Sequence, residues 1–223
     1  MIKYYFTVST ILALTVIIPL ITGLVRFNRL NGDFFPLVGI CGLGFFVELA
    51  RFIMLLNRNI SLAPYNLFVL GNFLLFMVLF KRWGVFHKRY MVFVVLVVVM
   101  ILFWVADMFF INGYMFNDAP VNYRLCYSAL LCLIAAIMVN KLTVNEKGSL
   151  IRNPKFWVCS CVLVYFSINI IIESFSLPNI KIGSMGYEIS KFGIRSLLNP
   201  IIYLVYTLVF LWAPTKKNFL QLS

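Results

Sequence analysis

Residues 90–110 read YMVFVVLVVVMILFWVADMFF, and Asp107 is the one charge in the run. An apolar α-helix needs ~20 residues to cross the ~30 Å hydrocarbon layer of a bilayer. A membrane β-barrel would instead show short segments of alternating polarity. The stretch therefore reads as a transmembrane helix. Six comparable segments flank it, at 4–25, 34–56, 65–80, 122–140, 156–175 and 192–213. The connections are brief, so neighbouring helices are expected to run antiparallel. The expected architecture is all-α: one polytopic membrane domain over residues 1–223, with seven transmembrane helices in a single bundle. The segment at 65–80 is the shortest of the seven.

Composition points the same way. Of the 223 residues, 63% are hydrophobic and 12% charged, and mean hydropathy is +0.98. Soluble domains carry roughly 25% charged residues. The excess apolar surface is expected to face lipid, so the bilayer is the first implied partner. The first segment is too long for a signal peptide, and no small-x-small cleavage site follows it, so it is expected to be a retained helix. The five cysteines lie in apolar segments, where small buried apolar residues are expected.

The net charge is +12. In a soluble chain this would suggest nucleic acid. Here there is neither a separate soluble domain nor an Arg-rich tail, and no nucleic-acid partner is expected. Twelve Lys and Arg fall after the first, third, fifth and seventh segments, against seven elsewhere. The positive-inside rule then puts the N-terminus outside and the C-terminus inside. In a bacterium that outside would be the periplasm. Trp83 and Trp212 fall near the inner interface, where amphipathic rings are favoured.

A charge at the bilayer centre costs about 2.5–3.5 kcal/mol on insertion scales. Three of the seven acidic residues nevertheless lie in apolar runs: Glu48, Asp107 and Glu173. Arg51 and Arg195 do too, with Asn72, Asn169 and Asn199. Glu48 and Arg51 are spaced i, i+3, and Asn169 and Glu173 i, i+4. Arg195, Asn199 and Tyr203 step by four. Each spacing puts polar groups on one helix face. With the orientation above, these faces fall in the outer half of the bundle. An outward-opening pocket is therefore expected, lined by Glu48, Arg51, Asn72, Asp107, Asn169, Glu173, Arg195, Asn199 and Tyr203. Two readings stay open. The residues bind a small polar ligand, ion or lipid headgroup, or they pair and snorkel for structural reasons alone.

Several chemistries are disfavoured. His87 is the sole histidine, so a zinc site built on several histidines is excluded. No H-E-x-x-H, G-x-S-x-G or P-loop pattern occurs. The last segment has no central lysine for a retinal Schiff base. No catalytic residue, metal or cofactor is implied. A small ion or solute transporter is an alternative. The inner halves of the third, fifth and seventh segments, however, are mostly Leu, Ile, Val and Phe. An intramembrane enzyme using paired carboxylates is a second alternative.

The last segment contains LLNPIIY, in which Asn199, Pro200 and Tyr203 match the N-P-x-x-Y motif of rhodopsin-like G-protein-coupled receptors. The match is local. The third segment ends LFKRWG without D/E-R-Y, the sixth lacks C-W-x-P, and apolar residues 204–213 still follow Tyr203. It reads as coincidence. More broadly, NPKFWVCSCVLVYFSINIIIESF and LLNPIIYLVYTLVFLW resemble small seven-helix membrane proteins of Bacteroidota, some linked to histidine-kinase signalling. That resemblance implies a sensor or accessory membrane protein whose output passes to a signalling partner. The expected function is accordingly sensory or receptor-like, and the location the resemblance implies is a bacterial inner membrane.

Overall fold

The computed structural model describes residues 12, 14–56, 62–87, 89–111, 120–145, 150–175 and 185–213. For 55–56, 110–111, 145, 185–193 and 195–196 it describes the backbone only. Seven α-helices follow one another along these residues, with no strand among them. α1 is Ile17–Val25, entered through a 3-10 turn at Leu14–Val16. α2 is Phe35–Leu56, α3 is Ala63–Arg82, and α4 is Tyr90–Ala106. A π-helical turn, Asp107–Ile111, continues α4. α5 is Val121–Asn145, α6 is Pro154–Ser174, and α7 is Met185–Trp212.

Five stretches are long and apolar enough to cross a membrane: Gly32–Met54, Ala63–Arg82, Tyr90–Phe109, Val121–Val144 and Pro154–Ser174. Two shorter apolar helical stretches are Leu14–Val25 and Leu197–Trp212. Large apolar side chains cover the outside, among them Met91, Leu133, Leu197 and Phe46. A water-exposed surface of this kind would be unstable, and it fits an integral membrane protein.

The helices form a closed ring. α1 packs on α2 and α7, α2 on α3, α3 on α5, α5 on α6, and α6 on α7. The α5–α6 interface is the most extensive. α4 stands outside this ring and packs chiefly on α3 and α5. Burial reflects those positions: 44% of the α3 span is buried, but only 22% of the α4 span. The segment expected to be shortest is thus the hub. Its helix extends beyond 65–80 at both ends. Pro64 starts it without losing an intrahelical bond, and a glycine stops it.

That glycine is Gly84, at φ +78. The Val85 N–H donates to the Phe80 carbonyl at 3.1 Å, and the Gly84 N–H to the Lys81 carbonyl at 3.0 Å. This is the Schellman pattern, which needs a left-handed residue and so favours glycine. At α6, the Asn153 side chain accepts from the Lys155 N–H at 2.8 Å, and Pro154 follows as the first helical residue. Such caps satisfy backbone groups that a helix leaves open at its ends. α5 runs past the expected end at 140 by one mixed turn, Lys141–Asn145, whose Leu142 still packs into the core. Lys141 and Thr143 mask that turn when the sequence is read for an unbroken apolar run.

One end of the bundle is basic and stapled. Arg26 at the end of α1 donates to the Phe210 carbonyl of α7 at 2.6 Å and also to Leu211. Arg82 donates to the Gly32 carbonyl, and Trp83 Nε1 to the Asp33 carbonyl at 3.2 Å. Lys141 of α5 donates to the Gly84 carbonyl at 2.9 Å. Lys155 of α6 pairs with Asp33 at 3.6 Å. The ends of α1, α3, α5 and α7 therefore meet the starts of α2 and α6, so successive helices alternate in direction. Trp83, expected at the lipid interface, is instead buried at 4% exposure against Phe34 and Phe80. Its indole N–H finds a carbonyl inside, so it needs no headgroup. Trp212 is 55% exposed, as an interfacial ring would be.

The cysteines divide. Cys41 and Cys159 are buried as expected, but Cys126 is exposed, and all five are unpaired.

Candidate functional site

The opposite end of the bundle holds its buried polar groups. Arg124, in the first turn of α5, donates to Glu173 near the end of α6 at 2.6 Å. The side chains are 10% and 2% exposed. Arg124 also donates to the Tyr65 hydroxyl of α3 at 2.9 Å and lies 5.5 Å from that ring's centroid. Three helices thus meet on one guanidinium. Its planar fork of donors suits such a junction.

Asp107 lies beside this junction. Its carboxylate accepts from the Asn122 side chain at 3.0 Å and from the Tyr123 N–H at 2.9 Å. That N–H is one of the four that an α-helix leaves open at its N-terminus. Asp107 therefore caps α5 from a neighbouring helix, and its charge complements the positive end of the α5 dipole. The π-helical turn begins at Asp107 itself. Next to it, Trp104 Nε1 donates to the Asn66 carbonyl at 3.3 Å, tying α4 to α3.

Below the Arg124–Glu173 pair lies a ring of polar and aromatic groups. On α3, Tyr65, Asn72 and Phe76 fall on one face, by their spacing of seven and four. On α6, Phe166, Asn169 and Glu173 do the same, by three and four. The two helices run oppositely, and Phe76 meets Phe166 edge-on with centroids 5.7 Å apart. Asn72 and Asn169 each sit one turn from that contact, toward the Arg124–Glu173 pair. Both asparagines are buried, at 6% and 8% exposure. Among the described residues, Asn72 Oδ1 and the Tyr123 hydroxyl have no hydrogen-bond partner. Tyr127 adds a third side, 5.5 Å from the Phe166 ring.

α2 and α7 carry the rest. Glu48 and Arg51 pair along α2 at 3.4 Å, with side chains 19% and 32% exposed. Tyr203 is partly buried and turns its hydroxyl toward Gly44 of α2. Asn199, one turn away, is half-buried. Arg195 lies in α7, with its side chain outside the described residues.

The expected pocket residues thus fall into three groups. Asp107 is bound to α5, and Glu173 to Arg124. Asn72 and Asn169 share one level of the interior. Glu48, Arg51 and Tyr203 lie on the α2–α7 side. Arg124, Tyr65 and Asn122 were missed by reading the sequence. A signal for Arg124 was present. A cation in the first turn of a helix opposes the dipole, and in an apolar run it demands an anion. Among the described residues, no group of three or more His, Cys, Asp or Glu is placed to hold a metal ion.

Toward the basic end the interior is apolar. Phe76, Met77 and Phe80 of α3 meet Leu131, Ile134 and Met138 of α5 in one core. Val158 and Val162 of α6, and Val209 and Phe210 of α7, complete it.

No family model, curated protein or solved structure matches the chain.

Proposed function

We propose that this chain is a seven-span integral membrane protein of sensory or receptor-like type, in a bacterial inner membrane. Its basic end faces inward, by the positive-inside rule. A small polar ligand, ion or lipid headgroup enters from the other side and binds among Glu48, Asn72, Asn169, Asn199 and Tyr203. Arg124, Glu173 and Asp107 hold the surrounding helices in register. Binding changes helix packing, and a partner protein reads the change at the basic end.

Asn72 carries this reading. Its amide oxygen is buried and has no hydrogen-bond partner among the described residues. Leaving such an acceptor unmet costs about 1–3 kcal/mol. A donor group on a bound ligand removes that cost. The apolar packing toward the basic end favours a site closed on that side over a transport path.

A thermal-shift screen of the purified protein tests the proposal, using amino acids, simple cations and soluble phospholipid headgroups. At least one compound should raise Tm for wild type, and fail to do so for Glu48→Gln and Asn72→Leu. If no compound stabilises wild type, and both variants are at least as stable as wild type without ligand, the pocket reading is lost.

A further inference from the structure

We propose that the outer face of α4, with the turn before it, is a binding site for one anionic phospholipid. The inference requires only that the chain lies in a bilayer; it does not depend on the interior pocket. Lys81, Arg82 and Arg89 are exposed around the turn that joins α3 to α4. Lys81 Nζ lies 4.8 Å from the ring centroids of both Tyr90 and Phe93. Phe86 packs on Phe93 at 5.5 Å. These aromatic contacts hold the lysine at the first turn of α4. Among the described residues, Asp33 is the sole acid at this end of the bundle, and Lys155 pairs with it at 3.6 Å. Among the described residues, the corner is thus a cationic patch without a counter-charge of its own, suited to a phosphate diester.

An apolar stripe begins at the same corner. Met91, Val95, Val98 and Leu102 are 75%, 57%, 48% and 63% exposed. Their steps of four, three and four put them on one helix face. At 1.5 Å per residue the stripe is about 16 Å long. Half of a ~30 Å hydrocarbon layer is about 15 Å. An acyl chain lying along this stripe would therefore reach from the headgroup level to the bilayer centre. A free phosphate would use the cations and leave the stripe empty. The match of charge and length favours the lipid. α4 is also the least buried of the five long spans, and none of the described helices covers this face.

The test is thermal unfolding of the full chain in nanodiscs of phosphatidylcholine with increasing phosphatidylglycerol. Inorganic phosphate is titrated in a separate arm. Wild type should gain Tm in a saturable manner with phosphatidylglycerol and gain nothing from phosphate. In K81Q/R89Q, half-saturation should need on the order of tenfold more anionic lipid, because basic side chains near the surface supply most of the attraction. Arg82 is kept in that variant because it also holds the Gly32 carbonyl. A variant of equal charge change on the same end, R29Q/R152Q, should keep the wild-type response. Equal loss in both variants would reduce the effect to general attraction and overturn the site. So would full stabilisation in pure phosphatidylcholine, or a response to phosphate alone. The Tm of K81Q/R89Q in phosphatidylcholine should equal that of wild type, which separates lost binding from lost folding.

Discussion

Arg124 of α5 and Glu173 of α6 form a 2.6 Å ion pair whose side chains are 10% and 2% exposed. The pair joins the most extensive helix interface of the bundle and recruits Tyr65 from α3. In an apolar setting neither charge is tolerable alone. Removing one partner leaves the other buried without this counter-charge, at a cost of about 3–5 kcal/mol. Glu173→Leu and Arg124→Leu should each destabilise by that order in reversible unfolding from detergent. The double variant should recover a large part of the loss. A double-mutant cycle with no coupling would show that the pair does not act as a unit.

Asp107 accepts from the Tyr123 N–H at 2.9 Å, across the gap between α4 and α5. Asp107→Ala should cost about 1–2 kcal/mol, in the range of lost helix caps. The loss should be local. Amide exchange at Tyr123 should accelerate before that in the middle of α5. Unchanged exchange there would rule out the capping role.

Gly84 ends α3 with φ +78, and a Cβ there would lie 3.4 Å from Lys141 Nζ. An L side chain in the left-handed region costs roughly 1–2 kcal/mol. Gly84→Ala should therefore lower stability by about that amount without altering ligand response. A neutral or stabilising result in a melting experiment would contradict the left-handed turn.

Gly23 of α1 marks a close helix crossing. A Cβ added there would lie 3.0 Å from Val38 Cγ2 and 3.3 Å from Phe210 Cε2. Gly23→Ala forces small shifts in α2 and α7. Gly23→Leu overpacks the crossing and should cost about 1–3 kcal/mol or more. Comparing the two unfolding midpoints checks the geometry: equal midpoints would mean that α1 does not pack closely there.

His87 is exposed at the basic end. If that end faces the cytoplasm, His87→Cys should react with a membrane-impermeant thiol reagent only after the cells are opened. Wild type, whose cysteines are all unpaired, supplies the background. Labelling of the substituted site in intact cells would invert the orientation.

The residues alone determined the helical, membrane-facing character of this chain. Length of run and scarcity of charge are local properties, and the second, third, fourth and sixth expected segments coincide with described helices to within about two residues at each start. The fifth helix runs on to Asn145, the seventh begins at Met185, and the start of the first expected segment lies outside the described residues. α4 illustrates this best: residues 90–106 are so uniformly apolar that no other element is consistent with a bilayer. The basic end was legible too, since loop charges need no partner to be counted. Partner choice was not. Arg124 entered only as one of the seven cations counted away from the basic side, and Glu173 as a pocket carboxylate, until folding put them 2.6 Å apart. Residues 49 positions apart share no pattern that periodicity can detect. Likewise, Trp83 was read as an interfacial ring. Whether its indole N–H meets a headgroup or the Asp33 carbonyl depends on how α3 is rotated in the bundle. Helix periodicity constrains which residues share a face. Only packing against the other helices decides what that face meets.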